Sequence, residues 1–329
     1  MQYLGFYLIL LLSTFIFTLI LTKAIIPGLK KIAKQPIYED GPSWHIKKSG
    51  TPTMGGLGFI IPSIVFMAIN AVWSLSNESR LLGSSLLISM AFCLLNALVG
   101  VWDDITKIRH SKNAGLTPKQ KLVLQGLIAI AFLLARKQIV GDGTTLYFGN
   151  ASFDLGWIYF PLSLLFVLGI INCANLTDGV DGLESSASFA IATSTFFISM
   201  GRSNDAWALS AIGIGATLGF LFFNIHPAKI FMGDTGSLFL GALCVCYAFS
   251  LKSLPAYLLI GGVYVIEGIS VIAQVVFFKA TGKRILKMAP LHHHMEKCGF
   301  DESKICVYAM LVTFFLSLLA SAFMGGVLQ

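Results

Sequence analysis

Charge is scarce in this chain. Only 12% of its 329 residues are Asp, Glu, Lys or Arg, whereas 56% are hydrophobic; a soluble domain carries about 25% charged residues. That shortage excludes an ordinary water-soluble enzyme and points to an integral membrane protein. Paired cysteines are lacking too. The six present (Cys93, Cys173, Cys244, Cys246, Cys298, Cys306) are scattered, mostly inside apolar runs, with no CxxC spacing, which speaks against a zinc ribbon and a disulfide framework. No polar stretch is long enough for a soluble domain, the longest lying near 27–53 and 279–304. Residues 1–329 therefore read as one membrane domain. The first apolar run has no basic region ahead of it and no A-x-A site before Lys23, so it reads as a membrane segment and not as a signal peptide. The net charge of +7 is spread over short loops between apolar runs, so no nucleic-acid partner is expected.

Long apolar runs, by contrast, are abundant. Breaks at charges and at Gly/Pro clusters divide the chain into ten segments, near 3–26, 54–75, 81–102, 121–137, 155–174, 185–201, 206–225, 235–251, 253–278 and 305–327. The expectation is an all-α polytopic protein with about ten transmembrane helices. Between segments four and five, residues 141–153 are polar and Gly-rich, and 144–148 have the pattern of a small hairpin. Loops after odd-numbered segments hold 17 of the 23 Lys and Arg, and loops after even-numbered segments hold five. By the positive-inside rule the odd loops are cytoplasmic and both termini lie outside.

The acids share this asymmetry. Eleven of 16 fall in the odd loops, four in the even ones, and Glu267 lies inside a segment. Asp and Glu contribute little to orientation, so topology does not explain their placement. A face that concentrates both signs of charge suits a site for a polyanionic substrate and a metal ion.

Four stretches on that face carry chemistry. Residues 81–102 run without a charge into Asp103-Asp104. At the centre of a spanning helix an Asp costs roughly 2.5–3.5 kcal/mol, less towards the edge, and a divalent cation or cationic partner would offset it; the alternative is a solvated acidic helix end. The run 172–183 contains Asn172, Asn175 and Asp178 at i, i+3, i+6, followed by Asp181 and glycines, with no Lys or Arg. Oxygen donors of this kind suit Mg²⁺; the alternative is an Asx-rich turn capping the next helix. Asp234, between two glycines, is either a site residue or an N-cap. Pro290-Leu291-His292-His293-His294 fits phosphate contact or proton handling better than zinc, because adjacent residues rarely converge on one ion. Weaker signals are the Lys48 to Gly56 stretch, whose lysine, hydroxyls (Thr53 among them) and glycines could cradle phosphate, and Lys121, also readable as an ordinary juxtamembrane lysine. Glu267 is a functional candidate because it is intramembrane; its alternative is a structural hydrogen bond to a neighbouring helix.

Gly50-Thr51-Pro52-Thr53-Met54-Gly55-Gly56, Asp103-Asp104, the 172–183 run, Phe231-Met232-Gly233-Asp234-Thr235-Gly236-Ser237 and the triple histidine occur in the order found in the phospho-N-acetylmuramoyl-pentapeptide transferases. The chain resembles that family over essentially its whole length. The aspartate and asparagine motifs are shared with the wider polyprenyl-phosphate N-acetylhexosamine-1-phosphate transferases, and the triple histidine looks specific to the muramoyl branch. Cys173 and Trp102 are substitutions at apolar neighbours of the motifs.

The resemblance implies Mg²⁺-dependent transfer of phospho-MurNAc-pentapeptide from UDP-MurNAc-pentapeptide to undecaprenyl phosphate, giving lipid I and UMP, at the cytoplasmic face of the bacterial inner membrane. A homodimer is left open as its assembly. Carried over residue by residue, Asp234 and Asn175 would form the Mg²⁺–pyrophosphate site, and Asp103 and Asp104 would orient or deprotonate the lipid phosphate. Lys121, His292, His293 and His294 would contact phosphates or the sugar-peptide portion. Lys48, Asn172, Asp181, Asn224 and Phe231 would line the uridine pocket, with Thr53 also binding substrate and Asp178 open between metal and substrate. The rivals are a sister transferase using UDP-GlcNAc and a membrane transporter, although transporters tend to place their sites near the bilayer midplane.

Overall fold

The computed structural model describes residues 4–33, 50–77, 79–110, 115–148, 151–200 and 205–324. In chain order the helices are α1 (Leu4–Ile32), α2 (Leu57–Asn77), α3 (Arg80–His110), α4 (Pro118–Ala135), α5 (Tyr159–Thr177), α6 (Leu183–Ser199), α7 (Asp205–Asn224), α8 (Gly233–Ser250), α9 (Leu254–Ile260), α10 (Gly262–Thr281), α11 (Leu291–Lys297) and α12 (Glu302–Phe323). The expected hairpin forms from β1 (Thr145–Phe148) and β2 (Ala151–Asp154), antiparallel with Thr145 opposite Asp154. Two details depart from the segment reading. The ninth segment is interrupted at Gly261 into α9 and α10, and the loop after it contains α11, which carries the three histidines.

Among the described residues eight helices are long and apolar enough to cross a membrane: α1, α2, α3, α4, α5, α7, α10 and α12. The remaining two expected segments, α6 and α8, are 17 and 18 residues long. They sit inside the bundle, and residues 235–250 of α8 are all buried. A helix wrapped by other helices answers to protein packing and not to lipid, which is why α6 can carry seven Ser and Thr. Outward-facing apolar side chains recur at helical spacing on α1 (Ile9, Leu12, Ile16, Ile20) and α12 (Leu311, Phe315, Leu318), the pattern of a lipid-facing stripe.

Small residues set the closest helix approaches, as expected where lipid supplies no hydrophobic drive between helices. Thr14 and Thr18 of α1 lie against Gly215 and Gly219 of α7, where an added methyl would meet α1 atoms at 2.4 to 3.0 Å. Gly100 brings α3 onto α8, since a methyl there would lie 2.2 Å from the Asp234 carbonyl oxygen.

These packings gather the C-terminal ends of α3, α5 and α7 and the N-terminal ends of α4, α6, α8 and α12 at one end of the bundle, joined by side-chain contacts among them. At the other end the buried Arg136 ties four elements together. It donates to Ser85, to Asp142 and to the Phe249 carbonyl, and lies 3.9 Å from Asp205.

Candidate active site

The site forms where helix ends meet. Lys121 is placed by a capping box: the Thr117 hydroxyl accepts the Gln120 N–H, the Gln120 side chain accepts the Thr117 N–H, and Pro118 occupies the first helical position. One turn inside α4, Lys121 Nζ donates to Asp234 Oδ2 at 2.6 Å and to Asn175 Oδ1 at 3.0 Å. Asn175, near the end of α5, donates to Asp234 Oδ1 at 3.1 Å and to the Ser237 hydroxyl at 2.8 Å. Asp234 therefore does not cap α8; its carboxylate faces α4 and α5.

The aspartate pair of α3 completes the cluster. Asp104 is buried and accepts from the Asp234 N–H at 3.2 Å, the Thr235 N–H at 2.9 Å and the Thr235 hydroxyl at 2.7 Å. Asp103 accepts the Leu116 N–H at 2.7 Å and pairs with Lys107 at 2.6 Å. Lys107 also lies 3.2 Å from Asp234, so it bridges two of the acids. One carboxylate oxygen from each of Asp103, Asp104 and Asp234 can be found within 4.8 Å of the others.

Asp178, which follows α5, faces this cluster. Burial, and after it the negative charges of Asp234, Asp104 and Asp181, pushes its carboxyl up to about 8, while Lys107 pulls in the other direction. Four carboxyls against two lysines leave negative charge uncompensated, and Asp178 registers it.

The first-loop glycines serve packing. Residues 52–56 lie alongside 231–232: the Phe231 N–H donates to the Pro52 carbonyl, and the Gly55 and Gly56 N–H groups donate to the Phe231 and Met232 carbonyls. A methyl on Gly56 would lie 2.5 Å from the Gly236 Cα. This pairing holds half-buried Phe231 and sets Thr53 beside Gly233 and Asp104. Gly233 has φ +70°, and a side chain there would run into Asp104 and Thr53.

The other expected residues lie in separate groups. Asp181 accepts the Ala228 N–H at 2.9 Å, meets the His226 ring at 3.1 Å, and donates its own N–H to Glu302 of α12. Asn224 is buried and links the Ser185 hydroxyl to the Ile230 carbonyl. Asn172 turns to α4, donating to Gln125 at 2.9 Å. The histidines diverge: His292 is buried against Glu267, His293 meets Glu296 at 2.6 Å, and His294 accepts the Lys287 N–H. Lys48 lies outside the described residues.

The sequence reading overlooked Lys107, Thr235, Ser237, His226 and Glu302 as site members. Lys107 had a local signal, since it stands four residues after Asp103 and so on the same helical face, and Thr235 and Ser237 stood in the 231–237 motif with no role given to them.

Comparison with known proteins agrees with this arrangement. The model of glycosyl transferase family 4 matches residues 85–252, which contain most of α3 and all of α4 to α8, and thus the whole aspartate–lysine cluster. The chain is 42% identical over 317 residues to the phospho-N-acetylmuramoyl-pentapeptide-transferase of Halalkalibacterium halodurans, covering 95% of this chain and 96% of that one. It is 39% identical over 318 residues to that of Caldicellulosiruptor bescii, with 95% of each covered. To that of Clostridium botulinum it is 42% identical over 313 residues, with 94% of each covered.

Proposed function

The chain belongs to the phospho-N-acetylmuramoyl-pentapeptide transferases of glycosyl transferase family 4, and on that premise we propose that it moves phospho-MurNAc-pentapeptide from its UDP carrier to undecaprenyl phosphate, yielding lipid I and UMP. The observation that carries the division of roles is the convergence of Asp103, Asp104 and Asp234 with Lys107 and Lys121 at one end of the helix bundle. A water-soluble donor and a lipid acceptor meet only at the membrane edge. The excess of Lys and Arg in the odd loops favours the cytoplasmic edge for this end.

Both substrates are anionic, so this transfer needs neutralisation and in-line placement more than a strong nucleophile. The donor set fits Mg²⁺: the facing groups are hard oxygens, and the carboxyls outnumber the lysines beside them. Asp234 and Asn175 would hold the ion, which when bound would withdraw charge from the pyrophosphate oxygens. Lys121, now on both of those residues, is placed to take a phosphate oxygen. Asp104 has both oxygens committed to α8, so it orients Asp234. Acid–base work at the lipid phosphate then falls to Asp103, whose Oδ2 is held by Lys107. Phe231 would stack on the uracil, and Asp181 would line the same pocket.

The test is turnover of purified protein in detergent with undecaprenyl phosphate, offering UDP-MurNAc-pentapeptide or UDP-GlcNAc, with Mg²⁺ or with EDTA. Lipid I should form from the muramoyl donor in Mg²⁺ alone. Asp234→Asn should bring turnover below about one per cent while the protein stays folded; substantial residual activity would remove Asp234 from the metal site.

A further inference from the structure

Glu267 lies in α10, inside a membrane-crossing segment, and is 5% exposed. Its carboxylate accepts the backbone N–H of His292, at 3.2 and 3.3 Å from its two oxygens, and its Oε2 lies 3.1 Å from His292 Nδ1. A carboxylate only accepts, so Nδ1 is the donor of this pair, and in the neutral ring that leaves Nε2 with a lone pair. Nε2 is buried with no hydrogen-bond partner among the described residues. It abuts the turn after α5, where a methyl on Gly179 would lie 2.2 Å from it. An unpaired buried ring nitrogen is unfavourable unless a ligand group pairs with it. The flanking histidines are engaged elsewhere, His293 with Glu296 and His294 with the Lys287 N–H.

We propose that Glu267 is a positioning residue that fixes His292 in its Nδ1–H form, so that Nε2 accepts a hydrogen bond from a hydroxyl or amide N–H of the donor's sugar-peptide portion beside Gly179. This deepens the transferase reading and rests on it. In Glu267→Gln the backbone N–H of His292 claims the amide oxygen, the amide NH₂ faces Nδ1, and the ring proton moves to Nε2. The ring then offers a donor where the ligand also offers one.

The tautomer is read by NMR of ¹⁵N-histidine-labelled full-length protein without substrate. Protonation at Nδ1 in the parent and at Nε2 in Glu267→Gln is the expected result; Nε2 protonation in the parent, or no change in the variant, overturns the proposal. In steady-state assays Glu267→Gln and His292→Ala should each lower kcat/KM for the donor about ten- to a hundredfold, chiefly through KM. The double variant should be no worse than His292→Ala alone, whereas additive losses would mean that Glu267 acts independently of His292. Should Glu267→Gln fail to fold, Gly179→Ala, which presses on Nε2 from the opposite side, must likewise add nothing in the His292→Ala background. Turnover of UDP-GlcNAc alone would sink the muramoyl reading and leave the tautomer result standing.

Discussion

Asp104 of α3 accepts both the backbone N–H of Thr235, at 2.9 Å, and its hydroxyl, at 2.7 Å, so the first turn of α8 hangs on a side chain from another helix. α8 has no side-chain cap of its own, Met232 occupying that position. A buried carboxylate at a helix N-terminus satisfies otherwise orphaned N–H groups and complements the helix dipole. With that duty met from α3, Asp234 is released to face Lys121 and Asn175.

Thr235→Val keeps the shape and removes one donor from Asp104. It should cost about 1–2 kcal/mol, read as a lowered melting temperature in detergent, and it should lower kcat because Asp234 rides on the same turn. An unchanged melting curve together with full activity would show that the Thr235 hydroxyl contributes nothing to the hold of Asp104 on α8.

Lys107→Met removes a positive charge lying between Asp103 and Asp234. A cation bound at those acids then meets less repulsion, so the half-saturating Mg²⁺ concentration should fall about three- to tenfold while the maximal rate drops. A titration curve unmoved along the Mg²⁺ axis would place the ion away from Lys107.

Gly100→Ala puts a methyl 2.2 Å from the Asp234 carbonyl oxygen, which is backbone and cannot swing aside. The expected cost is about 1–3 kcal/mol, with most of the activity lost because α8 must move off α3. Gly126→Ala in α4, where a methyl meets nothing within 4 Å, is the control and should leave the melting temperature level or raised.

Asp178 has its carboxyl pushed up to about 8, so the fold favours its neutral form. In the unfolded chain it ionises near the ordinary value of about 3.9. Stability of the metal-free protein is therefore highest, as far as this group is concerned, below about pH 4 and declines as pH rises towards 8. Asp178→Asn is neutral throughout, so its gain in melting temperature should grow from pH 5 to pH 8 in EDTA and level off above. A gain that is equal at both ends would show that Asp178 is not held neutral by its surroundings.

Hydropathy marked each of α1 to α8 and α12 because an apolar run of spanning length is a local property. It joined α9 to α10 because the break at Gly261 leaves the apolar character intact, and it passed over α11 because seven polar-rich residues carry no membrane signal. In the sequence Gly55 and Gly56 are a weak signal for a phosphate cradle, and only the contacts with Gly236 and the Phe231 carbonyl show that backbone packing requires them. The second reading of Glu267, a hydrogen bond to a neighbouring helix, describes its contact with α11.

Composition and charge order alone establish a membrane protein whose acidic and basic motifs share one end of its helices. Hydropathy and topology are one-dimensional, and alternate crossings return the chain to the same side. Partner choice is different. Lys121 and Asp234 stand 113 residues apart, as Asp104 and Thr235 stand 131 apart. Each contact is decided within about 3 Å by which small residue lets two helices approach, and no spacing along a single helix encodes that distance.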